Sequence, residues 1–226
     1  MGLGINAFAN YLTFVRANDM RYNLIRQQFF FRGIDMATQS NPTSVERILK
    51  AATGIAQAHG YGGLNLRALA EQVGIKAASL YHHFPSKADL AAAVARRYAE
   101  DSAVVLTTLA TEAGEPELAL RRYPETFRRS LENDNRMCLC SFMAAEYDDL
   151  PAGVQNDIQK FADVNVAWLA SMLGAQGKVD AGQAQVRASA IFAAVSGAQL
   201  MARGRADIAL FDALIDNYHA AGLFSV

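Results

Sequence analysis

The sequence predicts an all-α fold, on three observations. Alanine is abundant while Val, Ile, Thr and the aromatics form no alternating runs, and the 226 residues include only five prolines. Apolar residues recur instead at helical spacing, as in Leu66, Leu69, Ala70 and Val73. Helix-start signals precede these stripes. The clearest is Thr43-Ser-Val-Glu46, a capping box in which the hydroxyl and the carboxylate each satisfy an orphan N–H.

Residues 1–42 read as an N-terminal extension. Phe29-Phe30-Phe31 and scattered Asn and Arg give no sustained helical period. Residues 1–35 are expected either to be disordered or to precede a true translation start at Met36. In the second case the Arg32-Gly33 codons would supply a purine-rich ribosome-binding sequence. The alternative is a genuine N-terminal arm.

The pattern sharpens after Pro42. Val45, Ile48, Leu49, Ala52, Ile55 and Ala56 line one face of a first helix, which Gly60 stops. Asn65 caps a second helix that Gly74 breaks, and a third, short helix runs to Phe84, anchored by Leu80 and Phe84. Ser86 then caps a helix starting at Lys87. Three short helices with a glycine turn between the second and third make a helix-turn-helix, expected over residues 43–90.

The third helix has an anchored side and a presented side. Ala77, Ala78 and Ser79 are small enough to let the backbone approach base edges, while Tyr81 and His82 project outward. Lys76, Tyr81 and Lys87 offer donors to phosphate oxygens, and Thr43 completes the expected DNA contacts. Charge agrees with a polyanionic partner: residues 36–97 hold seven Lys/Arg against three Asp/Glu, whereas residues 98–226 hold ten against seventeen.

Residues 91–226 are expected to form a second, helical unit, with the helix from about residue 87 linking the two. Pro116 opens a helix that continues through Arg121, Arg122, Arg128 and Arg129. One around Met137–Tyr147 ends before Pro151. A longer helix from Pro151 aligns Val154, Ile158, Phe161, Trp168, Leu169 and Met172, and Gly174 and Gly177 mark a loop. Two last helices are expected over about Ala181–Ala202 and Ile208–Ala221.

The stretch Ser79-Leu80-Tyr81-His82-His83-Phe84-Pro85-Ser86-Lys87, with the preceding Leu-Arg-x-Leu-Ala-x-x-Val-Gly helix, resembles the DNA-binding domain of the TetR/AcrR family of bacterial transcriptional regulators over residues 44–97. The resemblance implies a homodimer with an N-terminal three-helix reader and a C-terminal domain for ligand binding and dimerisation. The last two helices would build the dimer's four-helix bundle, where Ala190, Ala194, Gly197 and Ala198 would allow close approach. For Phe192 and Leu214 an intramolecular core is an equal alternative. One departure is Lys76, where many members carry Ser or Thr, so a charged phosphate contact replaces a neutral one.

Arg136-Met-Cys138-Leu-Cys140-Ser-Phe-Met-Ala-Ala-Glu146 resembles a segment of a TetR subgroup that includes repressors responding to electrophiles. The sensor cysteine implied by that resemblance falls on Cys138, with Cys140 as second choice, and Arg136 would lower the thiol pKa. Two residues apart on a helix, the two thiols should face different surroundings. The alternative is that both are small buried hydrophobes. In that case a reversible apolar ligand would lodge among Phe142, Met143, Phe161 and Trp168.

Other function classes find little support. Adjacent His82 and His83 point about 100° apart on a helix and cannot share one metal ion unaided, so no metal and no cofactor is expected. No glycine-rich phosphate loop, nucleophile elbow or paired-carboxylate motif marks an enzyme. No apolar stretch approaches the roughly 18 residues that span a bilayer, no secretory signal is visible, and two cysteines build no disulfide framework, all of which fits a cytoplasmic protein. The expected function is a DNA-binding regulator, a repressor released from operator DNA by a small-molecule or thiol-reactive effector. A small-molecule binding protein that no longer reads DNA is the alternative.

Overall fold

The computed structural model describes residues 43–177 and 179–225, which form ten α-helices and one 3₁₀ turn with no strand among them. The expectations for residues 1–42 lie outside the described residues. Helices α1 (Ser44–His59), α2 (Leu66–Val73) and α3 (Ala77–His83) form the first unit. Helix α4 (Lys87–Ala113) leaves it and runs on through α5 (Pro116–Arg122), α6 (Glu125–Glu132), α7 (Leu139–Ala144), the 3₁₀ turn Tyr147–Asp149, α8 (Ala152–Gly174), α9 (Ala181–Arg205) and α10 (Ile208–Ala220).

The capping box at α1 forms as its residues dictate: Glu46 N donates to Thr43 Oγ1 at 3.2 Å, and Thr43 N donates to Glu46 Oε2 at 2.7 Å. Asn65 accepts from the Arg67 and Ala68 amides to cap α2. Gly74, at φ 74° and ψ 39°, makes the left-handed turn into α3 without the Cβ penalty. Seven residues cannot hold a helix alone, because nucleation is unfavourable. Helix α3 persists because Leu80 is fully buried and Phe84 nearly so against Ile48, Leu69 and Leu90. At about 2–3 kcal/mol each, these two burials exceed the cost of the short helix.

In the second unit α8 packs chiefly between α4 and α9. Trp168 stacks on Tyr123 with ring centroids 5.8 Å apart, and both are buried. Helix α4 is shared: its first turns pack on the reader and the rest on α8, so one rigid rod crosses both units.

Three expectations need correction. The helix from Pro116 does not continue through Arg128: it ends at Arg122, and α6 begins after Pro124, which offers no amide to continue the ladder. The helix expected around Met137–Tyr147 is only Leu139–Ala144, because Asp134 and Asn135 both take positive φ and delay its start. Ala198, expected at the dimer face, is fully buried within the subunit, and Ala194 is half-buried. The exposed stripe of α9 instead runs Val186, Ala190, Ala193, Gly197, Leu200, Gly204, alternating four and three residues.

Candidate nucleic-acid interface and cavity

Lys76, Ala77, Ala78, Ser79, Tyr81 and His82 all lie exposed on one short helix, as the sequence predicted. Lys76 occupies the N-cap with extended backbone and makes no side-chain cap, so its ammonium is not spent locally. Thr43 is also exposed, though its hydroxyl is already used in the capping box.

Lys87 is placed differently from expectation. Its Nζ donates to the Gly62 carbonyl at 3.2 Å and lies 4.4 Å from the centre of the Tyr61 ring. It braces the α1–α2 loop through these two contacts. The other side of that loop is held by Glu146, whose carboxylate accepts from the Tyr61 amide at 2.6 Å and the Gly62 amide at 3.5 Å.

More ties join the same end of α1 to the second unit. Arg136 Nη1 donates to the Gly54 carbonyl at 2.5 Å, Arg203 Nη2 to the Ala58 carbonyl at 3.3 Å, and Gln57 Nε2 to the Met137 carbonyl at 3.2 Å. The reader is therefore gripped along Gly54–Gly62 by residues 136–146 and by α9. The sequence does not disclose this clamp. Its partners are backbone carbonyls and amides, which no side-chain pattern advertises.

A cavity of about 640 Å³ opens between the two units. Helix α1 supplies one wall with Leu49, Lys50, Thr53 and Gln57, and α4, α6 and α8 supply the others with Tyr98, Ser102, Phe127 and Asn165. Of the expected effector residues, Cys138 and Phe161 line it. Phe142, Met143 and Trp168 do not: Phe142 lies under the Arg203 guanidinium at 5.2 Å, Met143 is fully buried and Trp168 is stacked on Tyr123. The floor is polar as well as aromatic. Buried Asn165 accepts from Tyr123 Oη at 3.0 Å and donates to Ser102 Oγ at 3.4 Å and to the Phe161 carbonyl at 2.9 Å. Its signal in the sequence was an amide at i+4 from Phe161 and i−3 from Trp168, on an apolar face.

The thiols are not activated. Cys138 and Cys140 are both buried, and their surroundings differ, since Cys138 lines the cavity and Cys140 does not; Cys138 is the N-cap of α7 rather than part of it. Burial pushes the Cys138 thiol up, only partly offset by hydrogen bonds from Ser141 and Tyr98. Burial pushes Cys140 up further, with Cys138 and Asp157 adding to it. Arg136 does not lower the thiol pKa, since its guanidinium is turned to Gly54 and Asp134. We expect N-ethylmaleimide to label the folded protein far more slowly at neutral pH than a small free thiol, and to label it fully once unfolded. Complete labelling of the native protein at the rate of the free thiol would contradict this placement.

The comparisons with known proteins agree with the geometry. The family model of bacterial regulatory proteins of the tetR family matches residues 48–94, from within α1 to the first turns of α4. A TetR transcriptional regulator from Legionella pneumophila is 26% identical, with 82% of this chain and 99% of that one covered and a TM-score of 0.74. Residues 48–94 are a DNA-binding domain of the tetR family of bacterial regulatory proteins. A TetR-family regulator from Agrobacterium tumefaciens is 29% identical over 77% of this chain and 94% of its own, at a TM-score of 0.71. The reduced form of E. coli NemR shares the fold at 22% identity and a TM-score of 0.66, covering 77% and 95%. No curated protein matches the chain. The tetR-type domain within this fold makes the chain a DNA-binding transcriptional regulator, and TetR-family regulators act as dimers. Among the described residues no helix is long and apolar enough to cross a membrane, and no group of three or more His, Cys, Asp or Glu gathers as for a metal ion.

Proposed function

We propose that this regulator is a homodimeric repressor whose operator affinity falls when a ligand enters the cavity between its two units. The observation that carries the reading is the makeup of that cavity: α1 of the DNA reader is itself one wall. A ligand there would press the reader away from α8, and the reader is held to the rest of the chain by the hydrogen bonds at Gly54–Gly62. Cavity and clamp thus act on the same helix. A shift of α1 alters the tilt of α3 and the spacing of the two recognition helices in a dimer.

On DNA, α3 enters the major groove with Ala77, Ala78 and Ser79 against base edges. Lys76, Tyr81, His82 and Thr43 lie toward the phosphates. Lys87 acts through the α1–α2 loop as a positioning residue. The dimer forms through α9 and α10, where the exposed Val186-to-Gly204 stripe would meet its copy. Bound effector is held without covalent chemistry, a reading supported by the buried, unactivated thiols. The site of action is the cytoplasm, and no catalytic step is involved.

Filling the cavity from within tests this without knowing the ligand. Ser102 on α4 is half-buried at the floor. Ser102→Trp should give a folded dimer whose operator Kd rises at least about tenfold, the effect of roughly 1.4 kcal/mol of displacement. Unchanged operator affinity in a folded Ser102→Trp dimer would separate the cavity from DNA release.

A further inference from the structure

Most of the polar side chains lining the cavity are already spent on the protein itself. Arg97 pairs with Asp101 at 2.8 Å, Glu46 holds the Thr43 amide at 2.7 Å, and Arg47 donates to the Val73 carbonyl at 3.5 Å. Arg129 also has a partner of its own, and Lys50 stands exposed to solvent. Thr53 donates its hydroxyl to the Leu49 carbonyl at 2.8 Å, and Ser102 accepts from Asn165 at 3.4 Å. Ser130 is the exception. It lines the cavity from α6 with only 9% exposure, and its hydroxyl has no hydrogen-bond partner among the described residues. A buried hydroxyl left unpaired is costly, so a ligand that pairs with it supplies what the protein lacks.

The neighbours of this hydroxyl are aromatic. Phe127 precedes Ser130 by three residues on α6, which puts the two side chains on one face about 5–6 Å apart. Phe127 and Phe161 both pack against Phe192, with ring centroids 6.1 and 6.2 Å away, and Phe161 meets Tyr98 at 5.5 Å. The hydroxyl therefore stands one helical turn from the end of a continuous row of rings. We infer that the effector is an uncharged aromatic carbonyl compound, its flat body on Phe127 and Phe161 and its carbonyl oxygen accepting from Ser130 Oγ. The inference rests on the proposed reading of the cavity as the effector site. A carbonyl suits a lone hydroxyl because one hydrogen bond satisfies both groups, whereas a ligand hydroxyl would leave a proton in need of a second acceptor. A carboxylate there would give up its hydration for one neutral donor, a much larger loss than a carbonyl suffers. The bond fixes the ligand to the second unit, and its body is left to press on the α1 wall at Leu49 and Thr53.

Three probes of nearly one shape test this by equilibrium dialysis against the full chain. They are 2-acetylnaphthalene, 2-isopropenylnaphthalene, in which a methylene replaces the carbonyl oxygen, and 2-naphthoate, an anion at neutral pH. Ser130→Ala removes the hydroxyl alone, and the helix keeps its form because alanine is the stronger helix former and no bond within the described protein is lost. The variant should bind the ketone about tenfold more weakly, the worth of one hydrogen bond, and the hydrocarbon within about twofold of the unmodified chain. The unmodified chain should bind 2-naphthoate at least about tenfold more weakly than the ketone. An equal effect of Ser130→Ala on ketone and hydrocarbon overturns the inference, as does naphthoate binding as tightly as the ketone. Failure of the ketone to bind also overturns it. The cavity's role in DNA release is judged separately by Ser102→Trp, which uses no ligand.

Discussion

Gln199→Leu should lower the apparent melting temperature by roughly 5–12 °C, the largest loss expected from any single polar side chain among the described residues. Gln199 is fully buried on α9; it accepts from the Cys138 amide at 2.9 Å and donates to the Phe127 carbonyl at 2.7 Å. The Cys138 amide stands at the N-cap of α7 and has no helical acceptor of its own. Leucine fills similar space but leaves that donor buried and unmatched, at about 1–3 kcal/mol, and removes a second hydrogen bond worth about 1 kcal/mol. For a chain of this size each kcal/mol is about 2–4 °C. The scan should be run at fixed protein concentration, because dimerisation adds to apparent stability. A melting temperature within a degree of the unmodified protein would mean that α9 does not hold the start of α7.

Gly60→Ala is the second large effect. Gly60 has φ 66° and ψ −163°, a region essentially closed to residues with a Cβ and costing about 1–3 kcal/mol when forced. The added Cβ would also sit 2.3–2.6 Å from the Glu146 carboxylate, which would have to swing away from the Tyr61 amide. We expect a loss of about 2–4 kcal/mol, or roughly 5–12 °C, and weaker operator binding because α2 and its Asn65 cap follow directly. Gly62→Ala is the control: the nearest atom to its Cβ is 3.7 Å away, in ordinary contact. Its melting temperature should fall by much less. If both variants melt together with the unmodified protein, neither the backbone strain nor the Glu146 contact matters.

These two residues also mark the limit of what the sequence disclosed. The capping box, the stop at Gly60, the left-handed turn at Gly74 and the presented face of α3 were all legible, because each depends on residues a few positions apart. The exposed face of α3 is local in the same way, and its outward residues are legible from helical spacing. The cavity was not legible. It is assembled from α1, α4, α6 and α8, whose contacts span more than a hundred residues, and only Cys138 and Phe161 of the expected pocket line it. Phe142, Met143 and Trp168 were reasonable candidates by hydrophobicity, yet packing consumed them: large apolar side chains fill cores first. Arg136 failed for a related reason. Its nearness to Cys138 in sequence suggested thiol activation, whereas a carbonyl on α1 captured the guanidinium. The break at Pro124 is legible in the sequence, because proline has no amide to continue a helix.

The central claim, that α3 reads DNA as one half of a dimer, is tested most directly by selection from a random duplex library. The purified full chain is used for several rounds at physiological salt, and the bound DNA is sequenced. The account predicts enrichment of an inverted repeat whose half-site centres lie about one helical turn, or a whole number of turns, apart. The selected duplex should bind at least about a thousandfold more tightly than a scrambled duplex of the same composition. Recovery of no common motif, with selected and scrambled duplexes binding alike, would contradict it.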